Sequence, residues 1–240
     1  MKQGKTNIVE LAKAIQHEAD NKKDYVSPSQ LMSIEANGSL RVAMQDADGG
    51  KMDMPLTQHA SRQLGAKFGI PAKYFDRMLA DAPDLLAFNA NHWLHEEPKD
   101  LMVRTLFGKV RGIMSNRYQR IDNVNIAEDI LPFLLEQQTN GLEIASCEVT
   151  EKKLYIKAVM HKMVSEIKKG DVVEAGLWIS NSEIGCGEFE VAPFIHRLIC
   201  LNGVKVNDAK FGKRHVGARA NVNDTTYSIL SDETLRADDK

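Results

Sequence analysis

Residues 172–217 constrain this chain more than any other stretch. Two apolar runs, Val172 to Ser180 and Phe189 to Leu201, are separated by Asn181-Ser182 and Gly185-Cys186-Gly187, and the second closes at Asn202-Gly203. Runs rich in Val, Ile and Phe, bounded by Gly, Asn and Ser, predict strands separated by turns. The second run delivers the chain into a basic stretch. Arg197, Lys205, Lys210, Lys213, Arg214 and Arg219 stand there against Asp208 alone. Paired strands leading into a basic, glycine-containing loop suit a phosphate-facing surface.

Composition sets the frame for that reading. The 240 residues are 43% hydrophobic and 27% charged, values usual for a soluble globular chain able to bury a full core. The first residues are charged throughout and hold no apolar stretch of a secretory leader, and no apolar run approaches the ~18 residues that a membrane span requires. Three cysteines, Cys147, Cys186 and Cys200, fit a reducing compartment. The expectation is a cytoplasmic protein without a membrane partner.

The net charge of -2 conceals an asymmetry. Residues 99–120 carry Lys99, Arg104, Lys109, Arg111, Arg117 and Arg120 against Asp100. Together with 197–219, these windows hold twelve basic and two acidic residues, leaving nineteen basic and thirty-one acidic elsewhere. A polyanion-facing surface on an acidic body is one consequence; solvated strand faces paired with distant acids are the other.

Along the chain, residues 7–20 space Ile8, Leu11, Ala12 and Ile15 as an amphipathic helix, either a docking arm or a covering helix, and 20–29 read as a linker. Asn37-Gly38 between the alternating runs LMSIEA and SLRVAM predicts a tight hairpin. Thr57 caps a helix carrying Ala60, Leu64 and Phe68; Gly69 ends it and Pro71 opens the next. This pair has the outline of a helix-turn-helix. Its second helix, however, offers only Lys73, Asp76 and Arg77 as polar readers, while Tyr74, Phe75, Met78 and Leu79 look like packing residues, so a plain helical hairpin is favoured. A third helix starts at Asp84. Further hairpins are predicted at Phe107-Gly108 and Glu151-Lys152, and a helix over 125–138 is either kinked or begun late by Pro132. In the loop 115–123, Arg117 and Arg120 flank Tyr118, which either anchors the loop or stacks on a base. Residues 161–170 read as a polar connection. The division expected is 1–29 helix and linker, 30–220 a single core domain, and 221–240 a polar tail or the start of a further helix.

Enzymatic motifs do not emerge. Gly4-Lys5-Thr6 lacks the upstream glycine of a phosphate loop, and Gly185-Cys186-Gly187 opens no helix, so it reads as a tight turn. Cys186, His196, Cys200 and His215 lack the Cys-x-x-Cys spacing of zinc sites and are not read as ligands. A metal-dependent nuclease would need clustered carboxylates; Glu148 and Glu151 with Lys153, or Glu183, Glu188 and Glu190, are the available sets. No metal and no cofactor are expected.

Three blocks carry a resemblance: ASRQLGAKFGIPAKYFDRML, RTLFGKVRGIMSNRYQRIDN, and GLWISNSEIGCGEFEVAPFIHRLICLNG with RHVG after it. Over roughly Leu56 to Gly217 the chain resembles the phage/plasmid-like family known as domain of unknown function 932. That resemblance implies a mobile-element setting and supplies no catalytic residues. The mixed order of elements is also similar in outline to single-strand annealing proteins of the Redβ/Erf group, which implies rings or filaments that hold DNA in a basic groove.

The sequence thus predicts an α+β chain, antiparallel hairpins with helices packed on one side. It favours a non-enzymatic, homo-oligomeric protein that binds single-stranded DNA. Arg104, Lys109, Arg111, Arg117 and Arg120 would face phosphates from one side, and Arg197, Lys205, Lys210, Lys213, Arg214 and Arg219 from the other, with Tyr118 and Phe211 stacking on bases. The alternatives are a metal-dependent nuclease and a protein-interaction module such as an anti-defence factor.

Overall fold

The computed structural model describes residues 7–36, 40–45, 51–168, 171–197, 200–205 and 211–213. The protein is α+β, with five helices and three antiparallel sheets among these residues. Its apolar side chains gather into two separate clusters, and the chain accordingly forms two compact units. One contains residues 20–118; the other combines 7–19 with 119–213. This differs from a single domain over 30–220, because the N-terminal helix completes one of the two cores instead of preceding both.

The unit of residues 20–118 opens with β1 (Lys22–Pro28), β2 (Met32–Ala36), β3 (Leu40–Gln45) and β4 (Lys51–Pro55). Helices α2 (Gln58–Lys67), α3 (Ala72–Asp81) and α4 (Pro83–Glu96) follow, then β5 (Asp100–Leu106) and β6 (Lys109–Ser115). The strands form two sheets, ordered β2-β3-β4 and β1-β5-β6. The predicted first hairpin pairs Met32 with Met44, Ile34 with Val42 and Ala36 with Leu40; its Asn37-Gly38 turn lies outside the described residues. Phe107 and Gly108 both adopt positive φ, 49° and 73°, the geometry of a two-residue turn whose twist matches its strands.

The expected linker at 20–29 is instead strand β1, paired along its length with β5. Its polar sequence hid it, and what commits it to the sheet is Asp24, opposite a buried arginine. Helices close two sheet edges with side-chain amides. Asn91 of α4 donates to the Ile34 carbonyl at 2.9 Å while its Oδ1 accepts the Ile34 N–H at 2.7 Å. Gln63 of α2 accepts the N–H of Ile113 at 2.9 Å.

Thr57 caps α2 as predicted, its hydroxyl oxygen accepting from the Ala60 N–H. Gly69 has φ 66°, which suits a residue without Cβ just past a helix end. Phe75 and Met78 of α3 are buried, and a Cβ on Gly65 would lie 2.5 Å from the Phe75 ring. Asp76 is paired with Arg62 and Arg77 with Asp81. The pair is a packed helical hairpin whose polar positions are tied to one another.

The other unit contains α1 (Ile8–Asn21), α5 (Asn123–Thr139) and strands β7 (Leu142–Val149), β8 (Leu154–Lys168), β9 (Asp171–Asn181), β10 (Phe189–Arg197), β11 (Cys200–Lys205) and β12 (Phe211–Lys213). The sheet order is β11-β10-β9-β8-β7, with β12 also paired to β10. Ile8, Leu11 and Ile15 of α1 and Ile126, Leu131 and Leu134 of α5 share one cluster with Ile144, Cys147, Ile156, Ala158 and Ile179 of the sheet. The N-terminal helix is therefore a covering helix. Helix α5 runs through Pro132, forgoing the one hydrogen bond that proline cannot donate.

Two further departures concern strand ends. The expected run Phe189–Leu201 is two antiparallel strands, with Arg197 opposite Cys200, and Asn202-Gly203 lies inside β11. Leu198 and Ile199, between the strands, are not turn formers, so composition could not reveal the reversal. The polar connection expected at 161–170 is largely strand, since β8 continues to Lys168.

Candidate functional site

In an antiparallel sheet, residues directly opposite one another share a face, and successive residues alternate between faces. The register of β7 to β10 then sorts the larger sheet into an apolar face against α1 and α5 and a second face of different chemistry. Glu148, Tyr155, Ser180 and Glu190 form one row across the strands of that second face; Ser146, Lys157, Trp178 and Ala192 form the next. A third row is Glu143, Val159, Gly176 and Phe194, and Glu174 stands opposite His196 beyond it.

Contacts knit these rows together. Tyr155 and Trp178 are parallel to within 1°, their ring centroids 6.0 Å apart. The Lys157 ammonium lies 4.8 Å from the centroid of the Phe194 ring. Burial pushes that ammonium's pKa down from its ordinary value, and an aromatic face is the partner such a cation can use with little water. Phe194 lies flat against β9 because position 176 is glycine: a Cβ there would sit 2.4 Å from the ring and 2.9 Å from the Ala158 carbonyl. The Tyr155 hydroxyl donates to Glu148; that bond, then burial, pushes the phenol up to about 12.

At the far end, His161 joins two carboxylates: its Nδ1 is 2.8 Å from Glu174 and its Nε2 is 2.7 Å from Glu143. The other Glu174 oxygen is 3.2 Å from His196 Nδ1. Among the described residues, no three His, Cys, Asp or Glu side chains gather where they could hold a metal ion.

The loop after β9 has a structural task. The buried Glu183 carboxylate accepts the N–H of Asn123, first residue of α5, at 2.7 Å, while the buried Asn181 amide donates to the Ile121 carbonyl and to Asn123 Oδ1, both at 2.9 Å. Gly185 makes the turn with φ 75°. Of the carboxylates considered for a nuclease, Glu183 thus holds a helix end and Glu148 holds a tyrosine.

The predicted phosphate-facing residues divide sharply. Arg104 is fully buried and bound to Asp24 through Nε and Nη2, both at 2.9 Å. Arg111 is the extra residue of a bulge between the Arg104–Gly112 and Thr105–Val110 pairs, and it is buried. Tyr118 is 8% exposed, an anchor for its loop. For these three the expectation of phosphate and base contacts is corrected: the interior of a folded unit holds them, where neither phosphate nor base reaches. Lys109 and Arg117 are exposed and Arg120 is half-buried. Strand register puts Lys205 opposite Phe194, Phe211 opposite Val191, Lys213 opposite Phe189, and Arg197 at the end of β10. Lys210, Arg214 and Arg219 lie outside the described residues.

Residues 110–228 match the family described as Domain of unknown function (DUF932). This part of the chain is a DUF932 domain. No curated protein and no solved structure matches the chain. The DUF932 match begins within β6 and continues through β12, so the second and third blocks of the sequence resemblance fall within it wholly or in large part, and the first, at 60–79, falls outside.

The polar face of the DUF932 sheet was not recognised in the sequence, although a signal exists. Glu174, Gly176, Trp178 and Ser180 alternate with Val173, Ala175, Leu177 and Ile179, and Glu190, Ala192, Phe194 and His196 alternate with Val191, Pro193 and Ile195. Period two was present beneath what read as continuous apolar runs.

Proposed function

We propose that this protein binds single-stranded nucleic acid without hydrolysing it, along the β10 edge of the six-stranded sheet. One observation carries the reading: β11 and β12 both hydrogen-bond to β10, lining the same edge end to end. Arg197, Lys205, Phe211 and Lys213, spread over seventeen positions of sequence, are thereby collected on three adjacent strands. Lys205 and Lys213 pair with β10 residues five apart, about 17 Å along a strand. Five is an odd interval, so the register sets Lys205 on the polar face with Phe194 and sets Phe211 and Lys213 on the other face with Val191 and Phe189. A single strand held by cations and an aromatic would pass around this edge instead of along one face. Glu143, Glu148, Glu174 and Glu190 would repel phosphates from the polar sheet face, which restricts the track to its edge. Annealing of complementary strands by a homo-oligomer, in a phage or plasmid setting, is the role this reading favours.

The test is fluorescence anisotropy of a labelled single-stranded oligonucleotide across a salt titration without divalent cations, with particle mass measured in parallel. Each phosphate contact on a single strand contributes about 0.7 to the slope of log affinity against log salt. Lys205→Ala with Lys213→Ala should lower that slope by about 1.4. An unchanged affinity and slope would overturn the assignment, and cleavage appearing with Mg²⁺ would favour the nuclease.

A further inference from the structure

Strand β8 is interrupted where it leaves the body of the sheet. Met160 pairs with Ala175 and Val164 with Glu174, so His161, Lys162 and Met163 are spanned by one step of β9. Beyond this bulge, Val164 and Ser165 pair with Glu174 and Val173, which β10 also pairs from the other side. Only the end, Glu166 with Val172 and Lys168 with Asp171, is a two-stranded ribbon. Met163 in the bulge and Val164 after it are 62% and 54% exposed. Bulges bend a strand and leave residues outside the ladder; at this root the backbone bonds are those of β9 to β10 and of the His161 N–H to the Gly141 carbonyl, and side chains add to them. His161 stands there, with a carboxylate at each ring nitrogen.

Ionised carboxylates only accept hydrogen bonds, and a neutral imidazole carries one N–H. Both contacts can therefore be hydrogen bonds only when the ring is an imidazolium. A neutral ring would set a nitrogen lone pair against a carboxylate oxygen. His196 imposes no such demand, since a neutral tautomer with hydrogen on Nδ1 satisfies its bond to Glu174. The charged and titratable groups facing His161 are Glu143 from β7, Glu174 from β9 and, through Glu174, His196 from β10; Lys162 is its neighbour on β8.

We propose that His161 is a proton-operated clamp at the root of the β8–β9 ribbon: the protonated ring ties β7 to β9, and loss of one proton opens the Glu143 contact and loosens the ribbon. Glu143 is the partner released because its side chain is 66% exposed and water can replace the ring, whereas that of Glu174 is 7% exposed and needs its donor. The hydrogen bonds to Glu174 and then Glu143 raise the ring's pKa, and the bond from His161 is the main cause holding the Glu174 carboxyl low. A raised histidine pKa stabilises the fold fully below the ordinary value of about 6.5 and ceases to do so as pH climbs through the folded value. A depressed carboxyl contributes above its ordinary range and is lost as pH falls through its own folded value. The clamp is closed between these limits and opens on the alkaline side.

Nitrogen-15 spectra of the His161 ring at pH 6 should show both nitrogens protonated, with a midpoint above 6.5. Hydrogen-exchange protection of ribbon amides, corrected for intrinsic rates, should fall about two- to fivefold across that midpoint, the range for partly exposed ion pairs. Glu143→Gln should remove this fall, because the glutamine N–H can donate to the neutral ring's Nε2. A single ring N–H at pH 6, a midpoint at or below 6.5, or an undiminished fall in Glu143→Gln would overturn the proposal.

Discussion

The side chain of Asn91 pairs with the backbone of Ile34 as an adjacent strand would, accepting from its N–H at 2.7 Å and donating to its carbonyl at 2.9 Å. Strand β2 lies at a sheet edge, where unpaired backbone groups invite association. Asn91→Ala removes both bonds and should cost about 1–3 kcal/mol. Asn91→Asp keeps the acceptor and sets a carboxylate oxygen against the Ile34 carbonyl, so it should be no milder. Denaturant midpoints of the two variants check this.

Arg104 and Asp24 face each other across β1 and β5. With the guanidinium fully buried, Asp24→Ala leaves a charge without its counter-ion, an expected loss of about 3–5 kcal/mol. The double variant Asp24→Leu/Arg104→Met should recover much of that stability in chemical denaturation. If Arg104 serves the fold alone, the double variant retains the full salt slope for oligonucleotide binding.

Glu183 reaches α5 from sixty residues away in sequence and takes the place of a local cap: Asp122, at the N-cap position, makes no side-chain cap bond. Replacing it by alanine should destabilise the unit by about 1–2 kcal/mol, and glutamine, which keeps an acceptor but loses the charge at the helix start, by less. Amide exchange at Asn123 should accelerate in both.

The Tyr155 phenol, held up to about 12 chiefly by its bond to Glu148, supplies an alkaline marker. A raised phenol pKa means stability that is complete below the ordinary value of about 10 and is lost between there and 12. Glu148→Gln should return the phenol toward its ordinary value, seen as an earlier tyrosinate absorbance rise in ultraviolet titration.

What was legible in the sequence was local. Asn37-Gly38, Phe107-Gly108 and Glu151-Lys152 marked three strand pairs, and Thr57, Gly69 and Pro71 bounded two helices, because turn and cap chemistry operates over a few residues. Strand β1 escaped because its partner lies eighty residues away: Asp24 looks like a linker residue until Arg104 is opposite it. The same long-range pairing draws Arg104 inside, and a bulge in the β5–β6 hairpin does so for Arg111. Charge counted along a chain says nothing of which cations a strand turns inward. The alternation in β9 and β10 could have been read, but alanine, glycine and tryptophan at its polar positions made the two strands look uniformly apolar.

Helix α1 precedes the DUF932 stretch by nearly ninety residues, yet Ile8, Leu11 and Ile15 lie in that domain's core. Anyone dissecting the protein by its family boundaries would cut through strand β6 and discard this lid of isoleucine and leucine. The excised piece would meet solvent with bare hydrocarbon where α1 had been, and its insolubility would report the incision instead of the biology.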